Sequence, residues 1–151
     1  MSTSISPLES HLGFWLRMVS NHVSDRFAAL LADHEVTVSE WVALRTLYEQ
    51  PETSHAQLIE ALRMTKGATS KILTRLENKG LAERRRVNDS ARDQVVALTS
   101  AGKRLVPKLA AEADRNEEHF FGHLKAAERK ALQAQMQTLV QHHGLKDLPV
   151  E

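Results

Sequence analysis

Apolar residues recur through most of this chain at the three- and four-residue spacing of amphipathic helices, and give way to short alternating runs between Leu81 and Thr99. Leu8, Leu12, Trp15, Leu16, Val19, Val23, Phe27, Leu30 and Leu31 predict one long opening helix. Ser6-Pro7-Leu8-Glu9 supplies its start as an N-cap, a proline at N1 and an acid at N3. Thr37-Val38-Ser39-Glu40 is a capping box before Trp41, Leu44, Leu47 and Tyr48, and that helix must stop before Pro51. Ser54-His55-Ala56-Gln57 is a second box, before Leu58, Ile59 and Leu62, and predicts a helix of about three turns. After the short connection Arg63-Met64, Thr65 caps a fourth helix that buries Thr69, Ile72, Leu73 and Leu76. Gly80 sits where a left-handed C′ residue is needed, with Leu81 folding back on Leu76 in a Schellman contact.

Leu81 to Val87 and Gln94 to Thr99 each fit a short strand, and Asn88-Asp89-Ser90 provides turn chemistry between them, so a hairpin follows the fourth helix directly. Thr99 is the cap of a second long helix through Leu105, Val106, Leu109, Ala113, Phe120 and Phe121, with Pro107 early enough to be tolerated. A last helix is expected from about Ala126 to His143, with Leu132, Met136, Leu139 and Val140 as its stripe and Gly144 beyond its end. The resulting fold class is mainly α with a small β-hairpin wing: a three-helix core and hairpin flanked by terminal helices. A single helical layer would leave much of the terminal apolar surface wet, which predicts packing against a second subunit.

Charge changes this picture. The 151-residue chain carries 20 Lys plus Arg against 19 Asp plus Glu, a net +1. Arg63 to Arg104 alone holds 11 of those cations and 4 of the acids, a local charge of +7 that the rest of the chain offsets with −6. The fourth helix turns Gly67, Ser70, Lys71, Thr74 and Arg75 away from its apolar side, with Lys66 at its N-terminal end, and the first strand holds Arg84, Arg85 and Arg86 in a row. Hydroxyls, cations and one position without a side chain suit phosphates and base edges. An anionic membrane would attract the same charge, but the segment lacks the aromatic or leucine anchors of a membrane-surface helix. No cysteine is present, so thiolate zinc sites and thiol redox sensing are excluded.

These residues, from about Val36 to Leu105, resemble the MarR family of bacterial regulators. That family shows a capped helix, a helix pair, a Leu-Glu-x-x-Gly-Leu junction and a wing ending in Asp-x-Arg-x-x-x-Val-x-Leu-Thr. The junction here is Leu76-Glu77-Asn78-Lys79-Gly80-Leu81, and the wing end runs from Ser90-Ala91-Arg92-Asp93 through Val96 and Leu98 to Thr99. Ser90 stands where the family has aspartate, leaving Asp89 and Asp93 as the nearest carboxylates. The resemblance implies a winged helix-turn-helix lobe over residues 36–99, with dimerisation helices in 1–35 and 100–151 of one compact chain.

It further implies a homodimeric, cytoplasmic, DNA-binding regulator without a cofactor or enzymatic activity, a repressor in the family's default. Thr65, Lys66, Ala68, Ser70, Lys71, Thr74 and Arg75 would read a major groove, Arg75 being best suited to guanine and Ala68 or Thr65 to a thymine methyl. Arg84, Arg85 and Arg86 would neutralise phosphates, and Arg92, matching the family's wing arginine, would enter the minor groove. Two-fold symmetry implies a palindromic operator. The alternative is a winged-helix module for nonspecific nucleic acid or an acidic protein. Release by a small, aromatic or phenolic anion is implied, and Trp15, Trp41 and Arg45 are candidates for apolar walls and an anion anchor; tryptophans on apolar stripes are more often core. His119 and His123, spaced i, i+4, raise a metal-responsive alternative, although two ligands do not make a site. No Ser/His/Asp arrangement, phosphate-cradling glycine loop or His-Glu-x-x-His helix is found.

Overall fold

The structure, a computed structural model, describes residues 4–87 and 94–150. In chain order it contains a 3-10 turn (Leu8–Ser10), α1 (Leu12–Ala32), α2 (Val38–Tyr48), β1 (Thr53–Ser54), α3 (His55–Leu62), α4 (Lys66–Asn78), β2 (Ala82–Arg86), β3 (Gln94–Leu98), α5 (Ser100–Phe121) and α6 (Ala126–His142). The predicted helix starts at Thr37, Ser54, Thr65 and Thr99 each carry their cap: every one of these hydroxyls accepts the backbone N–H of N3, and the Thr37 and Ser54 boxes are closed in both directions.

The opening helix is not continuous. His11 is extended (φ −98°, ψ 127°) and separates the 3-10 turn from α1, so Ser6 and Pro7 do not start a long helix. The Ser10 hydroxyl donates to the Pro7 carbonyl (2.7 Å) and the Trp15 indole N–H to the Glu9 carbonyl (2.8 Å). Side-chain donors thus take acceptors that a continuous helix would have used. α3 is shorter than its sequence suggests, because Arg63 adopts the left-handed conformation (φ 52°) and closes the helix after Leu62.

The wing is a three-stranded antiparallel sheet in the order β1-β3-β2, and Thr53–Ser54 as a strand was not expected from sequence. β2 and β3 pair from Ala82↔Leu98 to Arg86↔Gln94, which puts Ala82, Val96 and Leu98 in the core. That core is built by α1, α2, α3, α4 and α5: Leu31, Leu44, Leu58, Leu73, Leu76 and Leu109 are all fully buried. α6 contributes no buried residue, and Leu132, Met136, Leu139 and Val140 along it are exposed. The same is true of Leu8, Leu12, Trp15, Leu16 and Val19 at the other end of the chain. Among the described residues no helix is long and apolar enough to cross a membrane.

Candidate nucleic-acid interface

α4 is divided as its sequence predicts. Thr69, Ile72, Leu73 and Leu76 are buried, while Gly67, Ser70, Lys71, Thr74 and Arg75 line an open depression on the opposite side. A Cβ at Gly67 would meet nothing within 4 Å, so the absent side chain keeps that surface open rather than relieving any contact inside the fold. Thr65, the cap, is committed to the helix itself, its hydroxyl accepting from Ala68 N (3.1 Å).

The C-terminal end of α4 is closed by a full Schellman motif: Leu81 N–H donates to the Leu76 carbonyl (2.9 Å), Gly80 N–H to the Glu77 carbonyl (2.9 Å), and Gly80 has φ 71°. The wing is then fastened to this same point. Thr99 donates its hydroxyl to the Gly80 carbonyl (2.6 Å) and its N–H to the Leu81 carbonyl (3.0 Å). Gly102 packs so close to Leu81 that a Cβ there would run into the Leu81 carbonyl. The Gly-Leu junction and the Leu-Thr-x-x-Gly segment are therefore two halves of one joint that fixes the wing against α4.

A second joint holds the far side of α4. The Lys79 ammonium donates to Glu40 Oε2 (2.7 Å) and to the Glu35 carbonyl (2.6 Å), tying the end of α4 to the α1–α2 loop, where Glu35 has φ 59°. Glu40 is completely buried. Burial pushes its carboxyl up, but hydrogen bonds from Lys79 and Thr37, and the ammonium's charge, outweigh this and hold it below the usual carboxylate range.

The three wing arginines have different surroundings. Arg84 turns back onto α4, donating through Nε to Glu77 Oε1 (2.6 Å), through Nη1 to Ser70 Oγ (3.2 Å) and through Nη2 to Thr74 Oγ1 (3.0 Å). Arg85 forms an exposed ion pair with Glu52, and Arg86 is exposed. Arg92, with Asp89, Ser90 and Asp93, lies outside the described residues. His55, at the start of α3, leaves Nε2 buried without a partner; burial, then the charges of Arg84 and Lys66, push its imidazole down. Nothing local in the sequence marks His55 beyond its place in the Ser54 capping box, because its position beside the interface depends on the β1–α3 corner.

Trp41 lines a cavity of about 380 Å³ between α1, α2 and α5, together with Val23, Phe27, Val42, Asn116 and Glu117, and packs edge-on to Phe27 at 6.4 Å. Trp15 and Arg45 are not brought to it: Trp15 is half exposed on the N-terminal part of α1, and Arg45 pairs with Glu49 (3.0 Å) beside Tyr48. α5 ends at Phe121, so His123 falls on the following turn and does not share a helix face with His119. Among the described residues no group of three or more His, Cys, Asp or Glu is placed to hold a metal.

A capped helix pair, an exposed cationic second helix and an adjoining basic sheet define a winged helix-turn-helix protein. Residues 36–93 match the MarR family model. The transcriptional regulator HosA of Escherichia coli O157:H7 is 29% identical over 96 residues, 64% of this chain and 71% of HosA. Among solved structures, Bordetella bronchiseptica BpsR, described for regulation of its DNA binding by 6-hydroxynicotinic acid, superposes with a TM-score of 0.75 at 22% identity, covering 90% of this chain and 97% of BpsR. The Staphylococcus aureus MepR–DNA complex gives a TM-score of 0.77 at 22% identity, covering 87% and 98%.

Proposed function

We propose that this protein is a dimeric, sequence-specific DNA-binding transcriptional regulator, a repressor that a small ligand releases. The observation that carries the reading is the open depression on α4, where Ser70, Lys71, Thr74 and Arg75 surround a glycine whose missing side chain leaves the surface open. Residues 36–99 form the reader in this account, and 1–35 and 100–151 the dimerisation region. Lys66, Lys71 and Arg75 meet phosphates and base edges, with Ala68 and Thr65 near the groove entry. Arg85 exchanges Glu52 for phosphate, since an exposed pair of this kind is worth little by itself. Arg86 extends the contact along the backbone, and Arg92 enters the adjacent minor groove. MepR and a mutant of E. coli MarR have been solved on DNA, which supports the assignment.

The dimer follows from the exposed leucines, valines and methionines at the two ends of the chain, which α6 and the start of α1 leave uncovered. The Trp41 cavity accommodates a small aromatic ligand, and α2, which forms one wall, is also the helix whose Glu40 grips Lys79 at the end of α4. A ligand that moves α2 thereby moves the reading helix. Among the described residues the charged side chain lining the cavity is Glu117, and the Arg26 guanidinium stands behind the lining residue Asn116, donating to its Oδ1 (2.9 Å).

Equilibrium binding to duplex DNA at about 150 mM salt, with and without excess competitor, tests the function. A specific complex survives competition because it is typically ~10³–10⁷ tighter than nonspecific binding. Binding that the competitor abolishes for every duplex supports the nonspecific module instead.

A further inference from the structure

We propose that Arg84 and Glu77 form a clamp that fixes the free edge of the wing against α4, so that Arg84 is a positioning residue for DNA binding and not a ligand of phosphate. The inference rests on the DNA-reading function proposed above. It departs from the expectation that all three wing arginines neutralise phosphates.

The register of the sheet sets Arg84 apart. Side chains alternate along β2, so Ala82, Arg84 and Arg86 share one face and Glu83 and Arg85 the other. Along the first face burial falls outward, from buried Ala82 through half-buried Arg84 to exposed Arg86. Across the sheet Arg84 is paired with fully buried Val96, whose other neighbour is Thr53 of β1. β1 leads directly into α3 and so holds one edge of the sheet to the helix pair. β2 is the opposite edge and has no neighbouring strand there. Its root is fixed by the joint of Gly80 and Leu81 with Thr99 and Gly102. Beyond that root, among the described residues, Arg84 is the side chain through which β2 bonds to α4. Without it the free edge could tilt away from the helix.

The guanidinium suits this task. Its Nε, Nη1 and Nη2 reach Glu77 Oε1 (2.6 Å), Ser70 Oγ (3.2 Å) and Thr74 Oγ1 (3.0 Å), three positions that lie along one stripe of α4. Donors in a rigid planar fork define an orientation, which the single ammonium of a lysine does not. The side chain of Arg84 is 23% exposed and that of Arg85 67%. Turning Arg84 toward phosphate would break three bonds and leave Glu77 as an unpaired carboxylate on the helix that faces DNA. Arg85 gives up only an exposed pair with Glu52. Phosphate is therefore the better partner for Arg85 and the poorer one for Arg84. Ser70 and Thr74 each keep a lone pair beyond the one Arg84 uses, so the clamp does not withdraw them from DNA. Its effect is to present wing and α4 as one ordered surface, which lowers the entropic cost of binding both at once.

The test compares the full-length wild type with Arg84→Met, Arg84→Lys and Glu77→Ala by residue-resolved hydrogen exchange of the free protein, and by affinity and salt dependence on the duplex that wild type selects. In all three variants the amides of β2 and β3 should exchange faster while those of α3 and α4 are unchanged. Each variant should bind about tenfold more weakly, Arg84→Lys included although it keeps the charge. Glu77→Ala should weaken binding even though it removes a negative charge from the helix facing DNA. The salt slope should be the same for wild type and Arg84→Met. A slope smaller by about one phosphate contact in Arg84→Met, with Arg84→Lys binding as wild type and Glu77→Ala binding more tightly, would assign Arg84 to the backbone and overturn the proposal. Unchanged exchange of the wing in Glu77→Ala would overturn it independently of how the Arg84 variants fold. A folded wild-type protein that selects no duplex would instead refute the DNA-reading function itself, and the proposal with it.

Discussion

Gly67 on the reading helix and Gly102 at the start of α5 carry opposite constraints, and substituting alanine separates them. At Gly102 the added methyl collides with the Leu81 carbonyl, a backbone atom locked by the Schellman motif and by Thr99, so no side chain can yield. Gly102→Ala should lower stability by about 1–3 kcal/mol, read as a shift in the urea midpoint. At Gly67 the methyl meets open space, and alanine is the better helix former, so Gly67→Ala should raise stability by up to about 1 kcal/mol. The same change places a methyl on the surface meant for DNA, and binding should weaken. A Gly67→Ala protein that gains stability and binds the selected site as tightly as wild type would show that this glycine is not kept for the groove.

At the scale of elements, α4 is held at its C-terminal end by Lys79 on Glu40 and along its side by Arg84 on Glu77. Lys79→Met would leave a buried carboxylate without its cation, and a loss of about 3 kcal/mol is expected in chemical denaturation. Because Glu40 titrates below the usual carboxylate range when folded, its contribution is present above the ordinary value of about pH 4 and is lost as pH falls through the lower, folded value. His55 acts earlier on the acid side. Its folded imidazole is pushed down, so the unfolded chain takes up the proton first, and stability declines as pH drops below about 6.5. His55→Gln should remove that first decline and leave the one due to Glu40, as seen in melting temperature measured from pH 7 to pH 3.

The sequence showed which stretches become helices wherever a hydroxyl caps a run of apolar residues, as at Thr37, Ser54, Thr65 and Thr99, because such signals are local. The division of α4 into buried and exposed faces was legible for the same reason. What it did not show depended on contacts between distant segments. The strand at Thr53–Ser54 exists through its pairing with Val95 and Val96, and the break at His11 through the Trp15 indole reaching the Glu9 carbonyl. Three consecutive arginines look alike in a sequence; only the register of β2 against β3 and the position of Glu77 set Arg84 apart from Arg85.

For the whole molecule, the exposed apolar residues at both ends predict that the monomer is not the working form. Val19→Glu together with Leu139→Glu should convert a dimer to a monomer in sedimentation while leaving the capped core folded, and DNA affinity should fall with it, because the two half-sites would no longer be bound together. The central claim is that a pair of α4 helices reads DNA sequence. Its most direct test is selection and sequencing of duplexes bound by the wild-type protein from a random library at about 150 mM salt. An enriched near-palindrome is expected, with half-site centres roughly 34–36 Å apart, one helical turn of DNA. Recovery of DNA with no enriched sequence, from protein shown to be folded and dimeric, would contradict it.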